Sequence, residues 1–248
     1  MSGHSKWATI KHAKAKTDAT RGKVFTKIIR EITTAAKIGG ADPGGNPRLR
    51  LAIEKAKAAN MPNDNIKRAI DKAAGPDAAA LEEITYEGYG PAGTAILVET
   101  LTDNKNRTLG DVRNIFSRGG GNLGSSGCVS YIFKKMGSLV FSKSGMNTDA
   151  LTEIAIDAGA EDIKDEESDL EIITTPENFE KVRDALKAKG FSPLNAEVTM
   201  VPSTSVKLTG EDAKKVLRLV ENLEDNDDVQ AVHSNFDIPD NLIEQGTK

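Results

Sequence analysis

Near residue 76 the chain changes in two ways at once. Before it, apolar residues recur at helical spacing among cations; beyond residue 83 they fall into strand patterns among carboxylates. Residues 1–75 hold sixteen Lys and Arg against six Asp and Glu, a net +10, whereas the rest of the chain holds 17 bases and 31 acids, a net −14. The formal charge of −4 over 248 residues therefore conceals a basic helical module joined to an acidic one. Such a split predicts a polyanionic partner, above all nucleic acid.

Within the basic part, residues 1–17 are polar, with Lys6, Lys11, Lys14 and Lys16 around a single ring, Trp7, and read as an arm. A helix is expected from Thr17 or Asp18 as N-cap, with Phe25, Ile28, Ile29, Ile32 and Ala36 on one face and Gly39-Gly40 as its stop. Asn46-Pro47 is an N-cap followed by a proline at the first helical position, where a missing N–H costs nothing. A third, short helix follows Met61-Pro62, with Ile66, Ile70 and Ala73 inward, and ends at Gly75-Pro76. Three helices with short connections predict a bundle over 18–76.

Residues 76–83 mark the first boundary. Ile84 to Tyr89, a Gly90-Pro91-Ala92-Gly93 turn and Thr94 to Leu101 read as a hairpin, Arg107 to Arg118 as a helix, and Val129 to Lys134 as a further strand. From 137 to 203 the order is βαββαβ, a ferredoxin-like unit. The segment 205–240 has too few strands to stand alone and is expected to return to the sheet begun at 81–134. The fold class is thus α+β: an N-terminal three-helix bundle and two ferredoxin-like α/β sandwich domains, one inserted in the other.

The candidate nucleic-acid-binding set is Lys6, Trp7, Lys11, Lys14, Lys16, Arg21, Lys23, Lys27 and Arg30, where Asp18 is the one acid before Glu31. Lys105 and Arg107 join it from the strand-to-helix turn Thr102 to Thr108, whose Asn and Thr residues also suit backbone capping. Cations of this kind hold phosphates and position a protein without reading sequence. Replacing Lys14, Lys16, Lys23 and Lys27 by Glu is expected to abolish polyanion binding and leave the fold intact. The sparse aromatics, one Trp, three Tyr and seven Phe, argue against a sheet-face stacking platform.

Other chemistries fit poorly. The glycine-rich stretch 119–127 lacks the Lys-Ser/Thr of a phosphate loop and precedes a strand, so it reads as a tight turn whose exposed N–H groups could meet a phosphate. The acidic runs 161–169 and 223–228 lack a calcium loop's glycine and terminal glutamate and are expected to be solvated loops. His4 and His12 belong to the basic arm, and His233 reads as a strand-face residue. Cys128, the single cysteine, suits a core position and a reducing compartment. No cofactor, metal, small-molecule substrate, catalytic activity or membrane segment is expected, and the location is read as cytoplasmic.

Several motifs carry a resemblance. Gly3-His4-Ser5-Lys6-Trp7, Arg21-Gly22-Lys23-Val24-Phe25-Thr26-Lys27, Asn60-Met61-Pro62, Tyr86-Glu87-Gly88-Tyr89-Gly90-Pro91, Leu101 to Thr108 and Leu223 to Gln230 resemble, in order and over nearly the whole chain, the YebC/PmpR family. The resemblance implies an N-terminal helical bundle with two α/β domains, one inserted in the other. It also implies a DNA-binding transcriptional regulator, with a ribosome-associated translation factor that binds rRNA or tRNA as the alternative. Mitochondrial relatives look like translational activators of cytochrome oxidase subunit one.

Overall fold

The computed structural model describes residues 18–73, 81–166 and 168–239, with side chains from residue 22 onward. The described residues form an α+β fold. Helices α1 (Asp18–Gly39), α2 (Pro47–Ala58) and α3 (Asn63–Ala73) enclose a core of Ile32, Leu49, Ala52, Ala56, Met61, Ile66 and Ala69. Asn46 is the joint between the first two. Its carboxamide oxygen accepts from Leu49 N at 3.0 Å and caps α2, while its Nδ2 donates to Ala35 O and Gly40 O, each at 2.8 Å. Gly39 is required by the same side chain, because a β-carbon there would lie 2.6 Å from Asn46 Nδ2. Asn60, at φ 58°, ends α2 in the left-handed conformation that Asn tolerates, and Met61 N bonds back to Ala56 O at 2.9 Å.

The hairpin is β1 (Glu82–Tyr89) and β2 (Ala95–Thr102), followed by α4 (Lys105–Arg118) and the short β3 (Asn122–Leu123). A second sheet uses β4 (Phe133–Ser142), α5 (Thr148–Ala158), β5 (Asp162–Asp165), β6 (Asp169–Thr174), α6 (Phe179–Ala188) and β7 (Asn195–Pro202). The chain then supplies β8 (Val206–Lys207), α7 (Gly210–Glu224), β9 (Val229–Ser234) and β10 (Phe236–Asp237). The first sheet has the order β3-β1-β2-β9, and β8 and β10 pair in parallel beside it. The second has the order β5-β6-β4-β7 with every pairing antiparallel, the arrangement that βαββαβ connectivity gives in a ferredoxin-like sandwich.

Alternation along β2 explains how the sheets share a border. Ile96 and Val98 point into a core with Val112, Phe116, Val216, Leu219 and Val220 from α4 and α7. Ala95 and Leu97 point the other way, into a cluster with Val129 that Phe133 of β4 and Met200 of β7 pack against. Buried on both faces, β2 therefore reads as a continuous apolar run.

One expected element differs. Residues 129–134 are not a strand of the first sheet: Ser130–Ile132 form a 3₁₀ turn, and Phe133 opens the ten-residue β4 of the second. The reason is local. The N–H groups of Gly127, Val129 and Ser130 all donate to the Glu87 carboxylate and so are withdrawn from any strand ladder. The acidic stretch 161–169 likewise contributes β5 and the buried start of β6 rather than a solvated loop throughout.

Gly137, on β4, faces α6 so closely that a β-carbon would come within 2.6 Å of the Phe179 ring and also strike Thr174 Oγ1. Gly137→Ala is expected to destabilise the protein by about 1–3 kcal/mol through overpacking, read as a lowered urea midpoint.

Candidate nucleic-acid interface

The cations expected on the first helix do share a face: α1 sets Lys23, Lys27 and Arg30 together by their spacing of four and three. That face meets the turn between α7 and β9. Lys23 Nζ lies 3.5 Å from the Asp225 carboxylate, and Lys27 Nζ donates to Glu224 O. Arg30 Nη1 donates to Asp228 Oδ1 at 2.8 Å and to Asp227 O at 2.6 Å. The acidic run 223–228 is thus no solvated loop throughout. Its last residue, Asp228, is 3% exposed.

Four side chains surround the Asp228 carboxylate. Arg107 Nη2 reaches Oδ2 at 2.8 Å, Thr108 Oγ1 donates to it at 2.8 Å, Thr102 Oγ1 lies 3.3 Å away, and Arg30 takes the other oxygen. Burial alone would raise this carboxyl's pKa, but the bonds from Arg107, Thr108 and Arg30 outweigh it and hold it below the usual aspartate value. The motif Thr102 to Thr108 is the socket. Asn104 caps α4 by accepting from Arg107 N at 3.1 Å, its own N–H donates to Thr102 Oγ1, and Asp103 Oδ1 accepts from the same Arg107 Nη2 at 2.8 Å.

Opposite charges dock the helical module elsewhere too. Arg50 makes a two-pronged pair with Glu180 of α6, both bonds at 2.9 Å, and Arg183 reaches Glu54 at 2.7 Å. Lys55 lies 3.4 Å from Glu197 of β7, and Arg48 joins Glu31 to Glu83 of β1. Part of the charge split read from the sequence is therefore complementarity between regions of one chain.

At the end of the glycine-rich stretch one N–H group, that of Gly127, faces an internal anion: Glu87, 5% exposed, accepts from Gly127 N at 2.8 Å and, just beyond the stretch, from Val129 N at 2.8 Å and Ser130 N at 2.7 Å. Burial opposes ionisation here, yet these three backbone donors pull the carboxyl below its ordinary pKa. His233, 4% exposed on β9, lies with Nδ1 3.2 Å from Thr199 Oγ1 of β7 and Nε2 3.3 Å from Glu99. It bridges the two sheets. Cys128 is half-buried at the edge of the cluster of Ala95, Leu97 and Val129, and burial pushes its thiol up.

Residues 81–236 match the second and third domain of TACO1/YebC, and residues 5–76 match the TACO1/YebC N-terminal domain. The chain belongs to the TACO1/YebC family. A relative from Geotalea uraniireducens (strain Rf4), named "Probable transcriptional regulatory protein", is 58% identical over 246 residues, 99% of each chain. One of the same name from Treponema pallidum subsp. pallidum is 54% identical over 244 residues, covering 98% of this chain and all of that protein. The crystal structure of the conserved hypothetical protein Aq1575 from Aquifex aeolicus superposes with a TM-score of 0.81 at 46% identity, covering 91% of this chain and 94% of that one.

In this TACO1/YebC-family chain the candidate residues separate into three groups. Lys6, Trp7, Lys11, Lys14 and Lys16 lie outside the described residues, as do His4 and His12, and Arg21 lies in α1 with only its backbone described. Lys23, Lys27, Arg30 and Arg107 meet partners within the chain. Lys105 is exposed on the first turn of α4. The proposed Glu substitutions at Lys23 and Lys27 would set carboxylates against Glu224 and Asp225, so they would disturb docking as well as binding.

Sequence reasoning passed over a second set. Lys57 on α2 and Lys67 and Lys72 on α3 are exposed. The signal was present: Ile66, Ala69 and Ala73 face the core, which turns Lys67 and Lys72 outward on an eleven-residue helix. Among the described residues no three His, Cys, Asp or Glu side chains are grouped to hold a metal, and no helix is long and apolar enough to cross a membrane.

Proposed function

We propose that this protein is a cytoplasmic, non-enzymatic regulator of gene expression that acts by binding nucleic acid, with DNA in transcriptional control as the first reading. The observation that carries it is the N-terminal module. Its described part keeps Lys57, Lys67 and Lys72 exposed after Lys23, Arg30, Arg48, Arg50 and Lys55 have found carboxylates in the rest of the chain, and the basic arm adds four more lysines. Names borne by close relatives support regulation. Phosphates are the target these cations fit, and contacts of this kind carry no base reading.

A second reading, a translation factor held on ribosomal or transfer RNA, is favoured by the net −14 beyond residue 75. Extended duplex would repel that surface, whereas ribosomal proteins of basic character would attract it.

Affinity for a long duplex, followed against salt, tests the reading. With about six phosphates neutralised, log affinity should fall against log salt with a slope of about −5, and the Lys57→Glu, Lys67→Glu, Lys72→Glu triple variant should flatten that slope by about 2–3. An unchanged slope and affinity in the triple variant would exclude these lysines as the contact.

A further inference from the structure

Two of the three tyrosines stand together at the surface. Tyr131 is 75% exposed and Tyr89 is 37% exposed, among the few large apolar side chains the described fold leaves open to solvent. Tyr89 is held in place. Tyr89 Oη donates to Cys128 O at 2.8 Å, and the phenols are near enough that Tyr131, after partial burial, contributes to raising the Tyr89 pKa. Tyr131 sits in the 3₁₀ turn Ser130–Ile132, whose leading N–H groups are fixed by the buried Glu87 carboxylate. A buried charge and three backbone donors thus anchor a turn whose central side chain is turned out to water.

The chain beside these rings is rich in glycine. A β-carbon on Gly121 would lie 2.6 Å from Tyr89 O, and one on Gly124 would lie 2.5 Å from Cys128 Sγ, so the glycine stretch runs flush against the end of β1 and the turn that follows. Residues 118–135 hold Arg118, Lys134 and Lys135, all exposed, and not one Asp or Glu, although Lys134 Nζ lies 4.0 Å from the half-exposed Glu161 carboxylate across the second sheet. A protein partner would seek an apolar surround about its aromatic anchor. Here the exposed residues of the adjoining chain are glycine, serine, asparagine and cation, while Leu123, Ile132 and Phe133 are turned into the cores, which suits a flat π-face joined to phosphates.

We propose that Tyr131, with Tyr89 beside it, is a stacking site for an unpaired nucleotide of a single-stranded nucleic acid, whose adjoining phosphates meet the exposed cations of the flanking chain, Lys134 and Lys135 serving phosphates on opposite sides of the strand. This is no sheet-face platform. It is a two-ring patch at the end of a sheet, and it rests on nucleic acid being the partner while adding a contact the basic module does not supply. Stacking on an aromatic side chain tolerates any base, so the site senses single-strandedness rather than sequence.

The test uses the full-length protein and fluorescence anisotropy with short unstructured oligonucleotides, uridine RNA and thymidine DNA, and with a DNA duplex, at about 100 mM salt. Tyr131→Ala should weaken binding roughly tenfold or more while Tyr131→Phe binds like the wild type, with thermal melts confirming both folds. The ratio between the two oligonucleotides assigns the sugar. Equal affinity of the Ala variant and the wild type, or equal loss in Phe and Ala, overturns the site. Wild-type protein that binds duplex but neither single strand also overturns it and leaves the proposed function standing; failure to bind any of the three nucleic acids removes both.

Discussion

Asp228→Ala is expected to lower the stability of the protein by about 2–4 kcal/mol and to loosen the helical module from the first sheet. The carboxylate is the acceptor for Arg30, Arg107, Thr102 and Thr108 together, and its removal leaves the buried Thr102 and Thr108 hydroxyls without their shared partner. This loss lies at or below the range for breaking a fully buried pair, because the Arg30 and Arg107 side chains, 23% and 45% exposed, recover some water. Asp228→Asn keeps the shape and one acceptor and should fall between the two. Urea midpoints give the size, and faster amide exchange in α1 and the first turn of α4 locates it. An alanine variant as stable as the wild type would remove Asp228 as the joint.

The pH dependence has a definite sign. Asp228 has its folded pKa held below that of the unfolded chain, so its contribution is complete above the unfolded value, near 4, and is lost as pH falls toward the folded one. Acid should therefore release the helical module, and Asp228→Asn should remove most of that acid sensitivity.

Glu87→Ala should cost about 2–4 kcal/mol by a different route. Three main-chain N–H groups, on Gly127, Val129 and Ser130, lose their acceptor in a place where Val129 is fully buried. Glu87→Gln is nearly isosteric but turns an NH₂ toward one of the donors, so it should recover only part of the loss. Since Glu87 too is held below its ordinary pKa, this contribution is likewise present above about pH 4.3 and lost below it. Urea midpoints for both variants check the size. Protection of the Val129 amide unchanged in the alanine variant would contradict the account.

The fold was legible where a single local signal was enough. Asn46-Pro47 marked the start of α2, and the order of elements after residue 137 gave the ferredoxin-like sheet. Residues 129–134 misled because their apolar pattern suits a strand, while the deciding partner is a carboxylate about forty residues earlier, at Glu87. The candidate site was legible in its charge, but not in the partners its side chains meet within the chain. Nothing in Lys23, Lys27 and Arg30 taken alone tells a phosphate from Asp225 or Asp228, because both are oxygen anions and the second lies some 200 residues away. Charge composition locates anions a chain can hold; only tertiary structure says which of them it already holds.

Co-sedimentation with ribosomes at about 150 mM salt, where weak non-specific contacts are largely screened, run with and without excess duplex DNA, tests the central claim most directly. Retention on ribosomes against the duplex would assign the partner to RNA and translation; displacement by one particular duplex sequence would assign it to DNA and transcription. Under either assignment the account predicts that the wild-type protein is carried by nucleic acid and that the Lys57→Glu, Lys67→Glu, Lys72→Glu variant is released. Wild-type protein left free of both, or a triple variant retained as fully as the wild type, would contradict it.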